Sequence, residues 1–514
     1  MDPIQAGRKA KQSLTPSDIV FARFVTGKES YWFLAILCLA AALYLHNLGY
    51  SDIWGDEALT KAISRHPLPE LLRLVAHDAH PPLYFVGLKL FTPVVGNGDY
   101  AIRLFSVLGA LSTMGLCYAM GRRLFGPAGA LCLCLVLLAL PMPGQYARMA
   151  RMYTWAGFVT TGTFFCAALY ARDRRKHDLA LLGLFCLMAV YTHYYCLFAA
   201  FWSAMALLVW FWRKRDPAWR SVAAMGVLVL LLFLPWMSVL YSQARMVRQD
   251  FWIPPASWSM LLTCYTQPFG GFFWPYPLTY TLAGIFGALT LVSIWQGFAS
   301  RNRATAFPLG LSLVVFNGTL LTAAVVSHLF KPILYFRYVM TVAPLLAIAP
   351  MLALVGWRRS WLRAMVLAGA LGCGAYIVTA ESNFSFGPYQ QAIQRLAKTH
   401  PEVKKVLHLS EHTASPFAEY GRGGSWDQAY LRNAGSSWYS NMEAMDGLTP
   451  IQDLNDWVKP GEVFCMVIFE GVPLNMANLD LVLNQCRTIA VEEVADGKPY
   501  PGIKLKLYVL ARNG

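Results

Sequence analysis

Residues 179–212 read LALLGLFCLMAVYTHYYCLFAAFWSAMALLVWFW, a run without one Asp, Glu, Lys or Arg. A helix needs roughly 17–25 apolar residues to cross the hydrocarbon core of a bilayer. This run is long enough to cross, turn at Thr192-His193-Tyr194-Tyr195 and cross back. Uncharged runs recur at 31–50, 104–121, 124–147, 152–171, 221–244, 251–300, 304–330, 339–357 and 364–380. None carries the polar stripe of a water-soluble helix. Of the 514 residues, 56% are hydrophobic and 14% charged, against about 25% charged in soluble domains; the mean hydropathy is +0.42. The expected fold is mainly α, a polytopic transmembrane bundle of about eleven spans.

The net charge of +15 is distributed as membrane topology requires. Arg122 and Arg123; Arg172, Arg174, Arg175 and Lys176; Arg213, Lys214, Arg215 and Arg220; Arg301 and Arg303; and Arg358, Arg359 and Arg363 form clusters between the runs. With the basic N-terminus (Arg8, Lys9, Lys11, Arg23, Lys28) inside, each cluster falls on the inside. The outer loops 51–102, 144–151, 193–195, 245–279 and 331–337 are poorer in Lys and Arg. No basic face interleaved with stacking aromatics exists, which excludes nucleic acid as a partner. The first run is too long for a cleaved signal and lacks its cleavage site, so it reads as a retained span. Segment 83–98 is apolar but short and contains Lys89; a crossing there would invert every later loop, so it reads as an interfacial or partly inserted helix.

From residue 381 the apolar runs shorten to strand length, VKKVLHL at 403–409, VFCMVIF at 463–469 and KLKLYVL at 504–510, with a helical pattern at 389–399. The chain thus divides into an inner N-terminal segment 1–30, a membrane unit 31–380 and an outer, water-soluble α/β domain 381–514. Most of the eleven cysteines lie in apolar runs without metal-ligand spacing. Cys465 and Cys486 lie in the polar region, as a disulfide or as two buried thiols.

Ionisable residues near spans are costly and usually functional, and here they gather on the outer side. YSDIWGDEALTKA places Asp52, Asp56 and Glu57 just past the first span, and the loop continues to His77, Asp78, His80, Pro81 and Pro82. Asp56 and Glu57 fit a helix N-terminus; they also fit the carboxylate base that an attacking hydroxyl needs. His77 and His80, three apart around Asp78, are either ordinary polar loop residues or weak ligands for a divalent metal. Arg148 and Arg151 in GQYARMARMYTW, with Lys331 and Arg337 in HLFKPILYFRYVM, are cations on the disfavoured side. They serve either as interfacial anchors or as a phosphate pocket. His193 reads equally as a satisfied turn residue or as a substrate ligand. Trp252, Trp258, Phe272, Phe273, Trp274 and Tyr276 form either an interfacial belt or the wall of a groove for an isoprenoid tail or a sugar.

Taken in order, WGDEA, HPPLYF, RLFSVLGAL, GRRLFG, ARMYTW, THYYCLF and LYFRYVMTVAPLL resemble the membrane-embedded class C glycosyltransferases. The likeness is greatest to the family of protein O-mannosyltransferases and the bacterial aminoarabinose transferase acting on lipid A. It covers most of the membrane region. The resemblance implies a bacterial inner-membrane enzyme with its site and C-terminal domain on the periplasmic face. It implies a polyprenyl-phosphate-linked sugar donor, inverting transfer, and a cell-envelope lipid, glycan or protein hydroxyl as acceptor. Asp56 is then the general base and Glu57 its neighbour in the acidic pair. His80, Arg148, Arg151, Tyr153, His193, Tyr194, Lys331, Arg337 and Tyr338 become the donor- and phosphate-binding set. The aminoarabinose enzymes carry Lys before the paired prolines; here His80 stands there, which shifts phosphate binding toward Arg151 and Arg337. No cofactor is implied with certainty beyond a possible divalent metal. The competing reading is a transporter or flippase for a lipid-linked sugar, against which stand the absence of internal repeats and the presence of the acid pair.

Overall fold

The computed structural model describes residues 28–249, 253–271, 277–300, 303–431, 442, 444–469, 476–495 and 504–513. Seven helices among them are long and apolar enough to cross a membrane: Lys28–Leu45, Asp99–Leu138, Tyr194–Arg213, Ala218–Arg248, Pro277–Phe298, Thr305–Leu329 and Ser360–Glu381. In chain order the membrane unit runs α1 (Lys28–Leu45), α2 (Gly55–Arg65), α3 (Leu68–Ala76), α4 (Leu83–Val95), α5 (Asp99–Leu138), α6 (Pro141–Ala147), α7 (Tyr153–Asp173), α8 (Lys176–Thr192), α9 (Tyr194–Arg213), α10 (Ala218–Gln249), α11 (Trp258–Thr266), α12 (Pro277–Ser300), α13 (Arg303–Leu329), α14 (Ile348–Gly356) and α15 (Ser360–Glu381). The expected eleven crossings are reached only by adding both arms of α5, α7, α8 and the segment ending in α14. The basic N-terminus, Arg301 and much of the aromatic loop (Trp252, Phe272, Phe273, Trp274, Tyr276) lie outside the described residues.

Local chemistry sets the breaks. Within α5, Gly126 has φ of 77° and is followed by Pro127; glycine reaches this left-handed region without a Cβ clash, and proline opens the second arm. Val227, Leu228, Leu230, Leu231, Leu232 and Leu234 of α10 are all exposed, which suits a helix surrounded by lipid rather than water. The first outer loop is not irregular: it is the helices α2, α3 and α4. Helix α4, with only 13 residues, is too short to cross and packs on α5, as the sequence predicts.

The C-terminal unit is a six-stranded sheet ordered β3-β2-β1-β4-β6-β5: β1 (Lys405–His408), β2 (Asp427–Leu431), β3 (Leu448–Ile451), β4 (Val463–Phe469), β5 (Cys486–Val494) and β6 (Leu505–Arg512). It carries helices α16 (Tyr389–Thr399), α17 (Glu411–Tyr420) and α18 (Met476–Asn484). Strands β3, β2, β1 and β4 are parallel, while β6 and β5 add antiparallel. Both faces of β4 are buried: Cys465, Val467 and Phe469 join one core with Tyr389 and Phe417, and Phe464, Met466 and Ile468 join another with Leu407 and Leu510. This double burial is why VFCMVIF is continuously apolar rather than alternating.

The disulfide between Cys465 and Cys486 does not form; both are free thiols. Cys465 pairs with Val509 of β6, and Val509 pairs with Ala490 of β5, well along the strand from Cys486. Two strand spacings alone amount to roughly 9.5 Å, beyond the 4.4–6.8 Å Cα separation that a disulfide spans.

His408 is fully buried, with Nδ1 3.2 Å from Thr413 Oγ1 and Nε2 3.2 Å from Gln428 Oε1. Burial, partly opposed by the Gln428 hydrogen bond, moves its imidazole down to about 4. Its folded value lies below its unfolded one, so its contribution is intact above pH ~6.5 and is lost as pH falls through about 4, for a total of about 3 kcal/mol. Melting curves between pH 7.5 and 4 are expected to fall more steeply for the wild type than for His408→Gln; identical pH profiles would disprove the assignment.

Candidate active site

The site begins where α1 ends. Trp54 caps α2, and Glu57 reaches back to the Trp54 N–H at 3.4 Å. Glu57 is 0% exposed and bound on both oxygens by Arg103 of α5, Nε to Oε1 at 2.9 Å and Nη2 to Oε2 at 2.7 Å; Oε1 also accepts the Ala150 N–H at 2.7 Å. Arg103 donates further to the carbonyls of Leu48 (3.0 Å), Ser51 (2.8 Å) and Asp52 (3.1 Å). Thus Glu57 is a fully engaged brace that locks the loop before α2 onto α5, and its geometry does not suit the role of a base. Arg103 itself was not among the expected site residues; the only cue is an arginine placed at the head of an apolar run.

Its neighbour Asp56 faces the other way. The Asp56 side chain is 30% exposed, and its Oδ2 accepts Arg337 Nη1 at 3.0 Å and lies 3.9 Å from Arg151 Nε. Its Oδ1 makes no hydrogen bond among the described residues. Arg151 also donates through Nη1 to the Asp56 carbonyl at 3.3 Å and to Thr60 Oγ1 at 2.9 Å. The Arg337 guanidinium lies 5.0 Å from the Trp54 ring and 5.8 Å from the Tyr335 ring. Arg337 and Tyr338 are presented by the 3-10 segment Phe336–Thr341, followed by a second, Ala343–Ala347. Such broken helix within an apolar run is tolerated where protein or a cavity surrounds it.

Behind this pair, Asp78 Oδ2 holds His80 Nδ1 at 3.0 Å. Burial pulls the Asp78 carboxyl upward, but His80, Arg151 and the Ala79 N–H outweigh it and leave it below the usual range. The His193 ring lies 5.6 Å from His80, 5.9 Å from Tyr153 and 5.0 Å from Tyr338. His80, His193 and Tyr338, with Tyr194 and Lys331, line a cavity of about 1130 Å³ together with Gln243, Arg245 and Arg248 of α10 and the apolar Leu197, Phe198, Leu240, Val326, Phe330 and Ile333. Its size and apolar lining with a few polar groups suit a large amphiphilic ligand. Tyr194 is held by Gln243 and by Trp236 Nε1 at 3.1 Å. Arg245 and Arg248 were missed because they sit in a loop otherwise read as cation-poor.

Two expected residues stand apart. Arg148 is turned away from the cavity: it donates to the carbonyls of His46, Asn47 (2.7 Å) and Ser382 (3.2 Å), tying α1 to the end of α15. The grouping of Arg148 with Arg151, Lys331 and Arg337 is corrected accordingly. His77 caps α3, its Nδ1 2.8 Å from the Arg73 carbonyl, and does not converge with His80. No set of three or more His, Cys, Asp or Glu side chains among the described residues is arranged to hold a metal ion.

The C-terminal unit closes over the acidic end. Helix α17 packs on α2 through Ala62, Ala414 and Ala418. Lys61 bridges Asp99 and Glu419, each at 3.0 Å, Arg65 binds Glu419, and the Tyr420 hydroxyl donates to Asp99 at 2.5 Å. A Cβ at Gly55 would lie 3.6 Å from the Glu411 carbonyl and 3.7 Å from His412 Cα, so the start of α17 meets the start of α2. Burial foremost, then Asp56 and Asp78, push the Glu411 carboxyl up to about 8. Nothing in the local sequence of Glu411 announces this long-range placement.

An α-helical membrane bundle with broken segments around a cation- and aromatic-lined cavity, capped by an α/β unit, is a fold already seen in solved structures. ArnT from Cupriavidus metallidurans bound to undecaprenyl phosphate matches with a TM-score of 0.62 at 16% identity, over 94% of this chain and 98% of that one. The apo state of the same protein matches with a TM-score of 0.61 at 15% identity over the same shares. The chain therefore has the fold of ArnT. Residues 79–239 also match the family model described as dolichyl-phosphate-mannose-protein mannosyltransferase. No curated protein sequence matches the chain.

Proposed function

We propose that the chain is an inverting glycosyltransferase that moves a sugar from a polyprenyl-phosphate carrier to a hydroxyl of a cell-envelope lipid, glycan or protein. The observation that carries this reading is the contrast within one dipeptide: Glu57 has both oxygens engaged, whereas Asp56 is anchored through Oδ2 and keeps Oδ1 open. A carboxylate held in that way is set to accept a proton from a bound hydroxyl. The donor's polyprenyl phosphate occupies the cavity, its tail against Leu240, Val326 and Phe330 and its charge beside Arg245, Arg248 and Lys331, with Arg151 and Arg337 at the reacting end. As the acceptor oxygen bonds to the anomeric carbon, the bond from that carbon to the phosphate oxygen breaks, its electron pair leaves with the phosphate, and the hydroxyl proton passes to Asp56. One displacement from the face opposite the phosphate inverts the centre. In this reading the site and the α/β unit face the periplasm of a bacterial inner membrane.

The ArnT structure was solved with undecaprenyl phosphate, which supports that carrier for the donor here. The test is incubation of purified protein with radiolabelled polyprenyl-phosphate sugars and envelope extracts. A labelled acceptor and released polyprenyl phosphate are expected. Movement of the lipid across a vesicle bilayer with no glycosylated product would favour the transporter instead.

A further inference from the structure

His193 ends α8 and begins α9, and it is 3% exposed. Its Nδ1 accepts the backbone N–H of Tyr195 at 3.1 Å, as a helix N-cap side chain does. A ring nitrogen that accepts a hydrogen bond carries no proton, so the neutral imidazole must carry its proton on Nε2. That Nε2 is buried and has no hydrogen-bond partner among the described residues, yet the residue lines the cavity. Native proteins rarely leave a buried donor unused, and such an atom calls for a ligand.

The groups facing the ring are His80 (itself bound to Asp78), Arg151, Tyr153, Tyr195 and Tyr338. Burial foremost, then the nearby His80 and Arg151, opposes a second proton on the ring. Protonation at Nδ1 would in addition break the bond to Tyr195 N–H and put two donors face to face.

We propose that His193 is a specificity-determining residue that gives an uncharged Nε2–H hydrogen bond to a phosphate oxygen of the polyprenyl carrier. This rests on the reading of the cavity as the donor site. The division of labour has a chemical purpose. The donor phosphate is a diester with one negative charge, and the released carrier is a monoester with more. A further fixed cation would hold the product more tightly than the donor, whereas a neutral donor fixes the oxygen's position with less bias toward product.

The test uses full-length protein in lipid nanodiscs and undecaprenyl phosphate as probe. In His193→Gln an amide N–H replaces Nε2–H without charge; in His193→Phe the ring remains and the donor is gone. His193→Gln is expected to bind within about threefold of wild type, and His193→Phe about ten- to a hundredfold more weakly. Wild-type affinity in His193→Phe overturns the proposal, and so does equal weakness in both variants, which would mean that a charged imidazolium is required. On the wild-type protein, two-bond ¹H–¹⁵N spectra of ¹⁵N-histidine-labelled chain must show His193 protonated at Nε2 and bare at Nδ1, with the opposite tautomer overturning the proposal whatever the variants do. Wild-type protein that fails to bind undecaprenyl phosphate defeats the donor-site reading itself, a result distinct from failure in the variants alone.

Discussion

Asp56→Asn is expected to abolish sugar transfer, by about 10²–10⁴-fold, while donor binding stays within a few-fold of wild type. The substitution keeps the size of the side chain and an oxygen for Arg337, so the anchoring seen at Oδ2 has a substitute. What disappears is the capacity to take a proton at the open oxygen. Released phosphate and transferred sugar, measured together with the affinity for the donor lipid, separate the possibilities. Transfer at the wild-type rate removes Asp56 as the base. Joint loss of binding and transfer would instead make it a structural support for the two guanidinium groups.

Glu57→Gln should produce the opposite phenotype, and comparison of the two adjacent variants is the strongest check on how the acidic pair is divided. Arg103 and Glu57 are both essentially inaccessible to solvent. Neutralising one partner leaves a buried charge uncompensated, which typically costs about 3–5 kcal/mol. Glu57→Gln is therefore expected to lower the melting temperature in detergent and the yield of folded protein, with activity lost in proportion to folded protein. Arg103 also holds the carbonyls of Leu48, Ser51 and Asp52, so Arg103→Leu should destabilise at least as much. A Glu57→Gln protein that melts like wild type yet transfers no sugar would return Glu57 to the chemistry.

The membrane bundle was legible because missing charge is a strong signal: Asp, Glu, Lys and Arg punctuate the chain at nearly every turn. Parts of the α/β unit were legible for a related reason. Strands β1, β4 and β6 lie inside the sheet and are mostly apolar, whereas β3 is an edge strand holding Pro450, and β5, the other edge, turns Arg487 and Glu493 into solvent. Edges carry proline and charge that discourage pairing with other chains, and those residues hide them from a search for apolar runs.

Within the site, Asp56, His80, Arg151, His193 and Arg337 stood out as ionisable groups beside spans. The sequence could not rank them. Arg148 and Arg151 are three apart in ARMAR and look alike, but the turn after α6 aims one at the carbonyls of Asn47 and Ser382 and the other at Asp56 and Thr60. Glu411 was invisible for a different reason: its neighbourhood is made by a fold-back across more than three hundred residues, of which the sequence of α17 holds no trace.

Tyr241 and Phe330 line the cavity and are also among the large side chains exposed on the flank of the bundle. If the polyprenyl carrier proposed above is the ligand, a site with such a wall meets it by diffusion in two dimensions. The quantity that then sets occupancy is the mole fraction of carrier in the surrounding bilayer or micelle, not its amount per litre. Adding detergent dilutes the substrate even at constant volume, and apparent constants from different preparations become comparable only on that surface scale.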